Sequence, residues 1–241
     1  MRFAALMLAL VAAAPLAAAE FTADQRTEIV SIIRDAMKQD PSVLRDAITA
    51  LQADEGTREQ AHARDTLASV RDKMVSPADP IAGNPNGDVT IVEFFDVRCP
   101  YCKRIEPVMA QFLARDKGVR LVYKDLPILG PASMLASKAL LAAQRQNAYE
   151  KLRDAVMKLP PDITTAMLQT EAKKLGLDWT KLSRDMDDAA VKQQIDANLA
   201  LAHTLNIQGT PALIIGNEIV PGAIDIDELT RLVAAARHAK R

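Results

Sequence analysis

The chain has 241 residues, 49% hydrophobic and 25% charged, with a formal net charge of −1. That length holds one good core plus an accessory region. The charge balance argues against nucleic acid as a partner, which would need a basic face.

The N-terminus reads as a secretory signal peptide over residues 1–19. Arg2 supplies the positive start, Phe3 to Leu16 the apolar run, and Ala17-Ala18-Ala19 an A-x-A cleavage site before Glu20. The run is shorter than the roughly 20 residues a spanning helix needs, which argues against an anchor. Loss of Arg2 takes the net charge to −2. Export would place the protein in an oxidising compartment.

Residues 20–75 read as a separate helical region. Thr22 and Gln25 resemble a capping box, followed by a stripe of Ile29, Ile32, Ile33, Ala36 and Met37 at helical spacing. Asp40-Pro41 predicts a stop and restart. Val43, Leu44, Ala47, Ile48 and Leu51 form a second stripe, which Gly56 is expected to break. Ala63, Leu67, Val70 and Met74 form a third. Such short amphipathic helices build little core alone, so they must pack on copies of themselves or on the rest of the chain.

Ser76 to Asp88, rich in Pro, Gly, Asn and Asp, predicts a junction with a short edge strand near Ile81. Val89 to Phe95 is apolar on both faces, as in a strand inside a sheet. Cys102 to Lys117 reads as a helix and Val119 to Tyr123 as the next strand, a βαβ unit. Residues 132–205 predict four or five helices, with N-caps at Thr164 and Asp178, a C-cap at Gly176 and Trp179 packed inside. Ala212 to Ile215 and Glu218 to Val220, split by Gly216-Asn217, predict a hairpin, and Asp225 to Ala239 a last amphipathic helix. The order β-α-β, helices, β-β-α predicts an α/β thioredoxin fold with an inserted helical domain and an N-terminal helical region.

Cys99-Pro100-Tyr101-Cys102 contains both cysteines of the chain. A thiolate is the nucleophile of disulfide exchange, and a helix N-terminus stabilises it. Arg98, Lys103 and Arg104 add nearby positive charge. A CxxC loop is too short to staple distant segments, so a purely structural disulfide contributes little. Zinc usually takes four ligands, and His62, His203 and His238 are too scattered to complete a set. Two soft thiolates could instead carry Cu(I), and a holdase is a further alternative. The nine methionines are scattered, as core filling would leave them.

Val92-Glu93-Phe94-Phe95-Asp96 ahead of Cys99-Pro100-Tyr101-Cys102-Lys103, with Gly209-Thr210-Pro211 before the hairpin, resembles the DsbA-like thiol:disulfide oxidoreductases. Asp40-Pro41-Ser42-Val43-Leu44 resembles the subgroup that includes ScsC, the suppressor of copper sensitivity protein C. The resemblance implies a periplasmic enzyme that reduces, isomerises or forms disulfides in exported proteins. Cys99 would be the nucleophile and Cys102 the resolving thiol, with no cofactor beyond their redox-active disulfide. It also implies a membrane redox partner and a stalk that makes a homo-oligomer, a trimer. Glu93 would be a buried acid beneath the cysteines that shuttles the proton of Cys102 through water; the alternative is a structural pairing with Lys124. Thr210-Pro211, by the same resemblance, would be a cis bond beside the cysteines, presenting Thr210 to an extended substrate. Threonine there resembles the isomerases more than the strong oxidases, which favours an isomerase over a monomeric oxidase. Val97 departs from the family's common aromatic and is expected to alter the rim of the site. Val97, Tyr101 and Phe95 are candidate apolar contacts for unfolded chains.

Overall fold

The computed structural model describes residues 21–239 and divides the chain into two compact units, with the division after Thr57. The signal peptide expected over residues 1–19 lies outside the described residues. The expected boundary at residue 75 is therefore corrected. Leu67, Val70 and Met74 are buried in the core of the second unit, so the third stripe belongs to that unit.

In the first unit, α1 (Ala23–Gln39) starts at the predicted capping box. The Gln25 amide donates to Thr22 Oγ1 at 3.2 Å, and the Thr22 amide to Gln25 Oε1 at 2.9 Å. The chain breaks at Asp40-Pro41 and restarts as α2 (Ser42–Ser69), whose residues from Arg58 on belong to the second unit, with Asp40 accepting from the Ser42 amide at 3.0 Å. Gly56 does not break α2, against expectation. A lone glycine costs a helix only about 1 kcal/mol relative to alanine, which 28 residues of helix absorb. The apolar stripes stay open: Ile32, Ile33, Val43, Leu44, Ile48 and Leu51 are all exposed, Ile32 at 61%.

In the second unit, β1 (Ile81–Gly83), β2 (Val89–Phe95), β3 (Val119–Asp125), β4 (Ala212–Ile215) and β5 (Glu218–Pro221) form one sheet in the order β1-β3-β2-β4-β5. β2 and β3 are parallel and joined by α3 (Pro100–Arg115), as the βαβ reading expects. The remaining pairings are antiparallel. Gly216 turns the last hairpin at φ 63°, the left-handed region that favours glycine. Between β3 and β4 lie α4 (Pro131–Gln144), α5 (Tyr149–Val156), α6 (Thr165–Lys174), α7 (Trp179–Met186) and α8 (Ala189–Thr204). Thr164 and Asp178 cap α6 and α7 as predicted, and Trp179 packs against the core. α9 (Ile226–His238) closes the chain.

Side chains alternate across a strand, and that alternation divides the core into two. Ile91, Phe95, Leu121 and Leu213 face one cluster, shared with α3, the inserted helices and α9. Val92, Phe94, Val122 and Ile214 face the other, shared with α8 and the end of α2. Among the described residues, no helix is long and apolar enough to cross a membrane.

Candidate active site

The site forms where β2 ends and α3 begins. Cys99 is the N-cap of α3, in extended conformation (φ −68°, ψ 122°), and Pro100 takes the first helical turn, where its missing N–H costs nothing. No side chain caps the helix at this position, so the thiol stands at an end rich in unpaired N–H groups. Cys102, in that first turn, is fully buried, while Cys99 retains 5% exposure. Both are free thiols.

Across the site, the Thr210-Pro211 peptide bond is cis. The Cys99 thiol donates to the Thr210 carbonyl oxygen at 3.1 Å. Burial pushes the Cys102 thiol well above its ordinary range. Its contact with the Asp96 backbone and the Thr210 side chain pull the other way, while Cys99 and Glu93 push it further up.

Glu93 points to the same face as the cysteines because it shares the pleat of Ile91 and Phe95. It is completely buried, and neither carboxylate oxygen has a hydrogen-bond partner. Burial raises its pKa to about 7; Arg153 pulls it down and Glu106 pushes it up. The expected alternative partner, Lys124, is corrected. Glu93 stands opposite Tyr123 in the β2–β3 register, so Lys124, one residue on, falls on the other face. There Lys124 Nζ meets buried Asp79 at 2.6 Å.

Arg153, from α5, is the cation beside Glu93. Its guanidinium lies 4.0 Å from Glu93, ion-pairs with Glu106, and stacks against Phe95 (4.7 Å) and Tyr123 (4.2 Å). The sequence reading missed Arg153 and Glu106. One signal existed: Tyr149, Leu152, Arg153 and Val156 follow the i, i+3, i+4, i+7 spacing of a buried stripe. A second buried acid, Asp125, accepts from the Tyr149 hydroxyl at 2.7 Å and is also raised to about 7 by burial.

Asp96 holds the approach to the cysteines. Its carboxylate accepts from the Arg98 amide (2.9 Å), Ser133 Oγ (2.8 Å) and the Leu129 amide (3.1 Å), and its carbonyl accepts from the Cys99 amide (3.0 Å). The cations predicted to surround Cys99 are largely committed elsewhere. Arg98 donates to the Pro161 carbonyl at 2.6 Å and to that of Leu129, and Lys103 donates to the Leu159 carbonyl at 2.7 Å. Arg104 stacks over the Tyr101 ring at 4.9 Å. Val97 and Phe95 are buried, so neither forms the rim; Tyr101, Ile128 and Leu129 are the exposed apolar residues there. Among the described residues, no cluster of three or more His, Cys, Asp or Glu is arranged to hold a metal ion.

Comparison with known proteins agrees with this geometry. Residues 90–234 match the DSBA-like thioredoxin domain, and residues 25–56 match the copper resistance protein ScsC N-terminal domain. The fold resembles a linker-deletion mutant of Proteus mirabilis ScsC, with TM-score 0.68 and 29% identity over 93% of this chain and 100% of that one. A thioredoxin-like oxidoreductase from Silicibacter pomeroyi is 39% identical over 70% of this chain and 98% of its own, with TM-score 0.68. The thiol:disulfide interchange protein DsbA of Bordetella parapertussis is 26% identical over 66% of this chain and 78% of its own. The chain also matches the Na(+)/H(+) antiporter NhaA 3 of Salinispora tropica, 29% identical over 68% of this chain, but spans only 26% of that protein's length. With a family model matching well over half of its residues, the chain belongs to the DsbA-like thioredoxin family.

Proposed function

We propose that this protein is an exported, periplasmic thiol:disulfide interchange enzyme that favours isomerisation. The observation that carries the reading is the Cys99 thiol at a helix N-terminus, 3.1 Å from the Thr210 carbonyl and beside a fully buried second thiol. The Cys99 thiolate attacks one sulfur of a substrate disulfide. A Cys99–substrate disulfide forms, and the other substrate sulfur leaves as a thiolate. A substrate thiolate can then attack the mixed disulfide at the substrate's own sulfur, which isomerises the client and regenerates Cys99. Alternatively, Cys102 loses its proton to Glu93 and attacks Cys99; the substrate leaves reduced and the pair is oxidised. The oxidised pair donates its disulfide by the reverse steps, and a membrane redox partner would reset it.

Two features favour isomerisation. Cys102 is buried, and burial raises its pKa, which disfavours the attacking thiolate, prolongs the mixed disulfide and gives client thiols time to act. The open apolar stripes of α1 and α2 suit a homo-oligomer, a trimer by likeness to ScsC-type chains, which gathers several sites around one client.

The test is reactivation of scrambled ribonuclease by the reduced protein, with Cys99→Ala as control. Reactivation that depends on Cys99 is expected. Absence of reactivation, with disulfide formation in a reduced client instead, would replace this reading with a monomeric oxidase. A Cys99→Ala variant that kept full cellular function would instead indicate a holdase.

A further inference from the structure

Arg153 is the most completely buried cation among the described residues, and it reaches the site from the inserted helices. Its side chain and that of Glu93 are each 1% exposed, while that of Glu106 is 26% exposed. One guanidinium therefore faces two carboxylates. With both ionised, the cluster would carry a net negative charge in a space where an uncompensated charge is costly. Glu106 contacts Arg153 directly and retains access to water. Glu93 sits farther off, with neither oxygen hydrogen-bonded, and burial eases its uptake of a proton, so it can pass between its two forms near neutral pH.

We propose that Arg153 is a positioning residue for disulfide exchange: paired directly with Glu106 and standing 4.0 Å from Glu93, it sets the pH at which Glu93 accepts and returns the proton of Cys102 and the resolving step turns on. The proposal rests on the roles given above to Cys99, Cys102 and Glu93. The balance is simple. Cys102 passes its proton to the Glu93 carboxylate; its thiolate forms the bond to Cys99; the substrate sulfur leaves with the electron pair. Other groups face this cluster: Tyr123 and Asp125 from β3, Tyr149, Glu150 and Asp154 from α5, and Cys102 from α3. Lys158 acts on Asp154, but Arg153 is the cation that acts on Glu93 itself. The Phe95 and Tyr123 rings against the guanidinium face fix where that charge sits.

The test is the pH dependence of the resolving step, measured as release of the second glutathione when the reduced protein reacts with glutathione disulfide. Removing the cation leaves Glu93 protonated to higher pH. Arg153→Gln should move the acid limb up by about one unit and slow resolution about tenfold below it. Arg153→Lys should return the limb most of the way. Glu106→Gln, which releases Arg153 to Glu93 alone, should move it down. This variant also tests the proposal independently of whether Arg153→Gln folds. An unmoved limb in Glu106→Gln and in folded Arg153→Gln would overturn the proposal, as would equal shifts in Arg153→Gln and Arg153→Lys. Glu93→Gln separates the two levels. A limb that survives in Glu93→Gln removes the Glu93 role and this proposal with it. A limb lost there but unmoved by changes at Arg153 and Glu106 removes the Arg153 assignment alone.

Discussion

The Cys99 thiol and the Thr210 carbonyl meet at 3.1 Å across 111 residues of chain. The two residues come from opposite ends of the catalytic unit, and the whole helical insertion lies between them in sequence. β2 and β4 are antiparallel neighbours in the sheet, so the start of α3 and the loop before β4 converge at one end of the strands. The same loop touches both thiols: its carbonyl accepts from Cys99, and the Thr210 side chain lowers the pKa of Cys102.

Thr210→Val keeps the β-branched shape and removes the hydroxyl. Cys102 then loses one of the groups that eases its ionisation, against the burial that raises it. The Cys99–glutathione mixed disulfide should persist severalfold longer, with the first attack by Cys99 little changed. Rapid acid quench and mass analysis would follow both steps; equal slowing of both would contradict this.

Glu93 should make stability fall with rising pH. Its folded pKa, raised to about 7 by burial, lies above its unfolded value. Between about pH 4 and 7 the folded protein therefore binds more protons than the unfolded one, and stability drops through that window. Asp125, raised to about 7 by burial, acts in the same direction. Urea unfolding of Glu93→Gln against the parent should show the variant gaining on it by ~3 kcal/mol from pH 4 to pH 8. A constant difference across that range would mean that Glu93 titrates normally.

Arg98 joins the cysteine loop to the β3–α4 loop and to the insertion through the Leu129 and Pro161 carbonyls. Arg98→Ala leaves these acceptors to water and should cost about 2–3 kcal/mol, because each hydrogen bond involves a charged donor. Arg98→Lys should recover only part of this, since one ammonium cannot reproduce the guanidinium's fork. Denaturant midpoints of the three proteins would decide.

Asp79 and Lys124 form a buried pair on the face of the sheet away from the cysteines. Asp79→Ala strands a buried ammonium and should cost about 3–5 kcal/mol. Because the sheet separates this pair from Glu93, the pH profile of the resolving step should stay where it is. A shift in that profile would mean that charge on one face is felt on the other.

Removal of residues 21–57 takes away the exposed stripes of α1 and α2. By light scattering, the remaining chain should be monomeric where the whole one associates, with weaker isomerase activity per site. An unchanged mass would remove the oligomer from the proposed function.

Local chemistry made most of the elements legible. The capping box at Thr22, the break at Asp40-Pro41, the caps at Thr164 and Asp178, and the apolar run of β2 each act within a few residues. The sequence by itself therefore determined the order of strands and helices and the place of both cysteines at a strand–helix junction. What it lacked was register. One residue of offset across β2 and β3 decided that Glu93 faces Tyr123 and that Lys124 faces the opposite core. The partner of Glu93 came from α5, sixty residues downstream, where Arg153 occupies a stripe position normally left to an apolar side chain. Periodicity shows that a position is buried, but only the packing of α3 and α5 against the sheet shows which charges are buried together. The energy that holds a charge in the core lies in contacts between distant segments, and tertiary structure alone decided them.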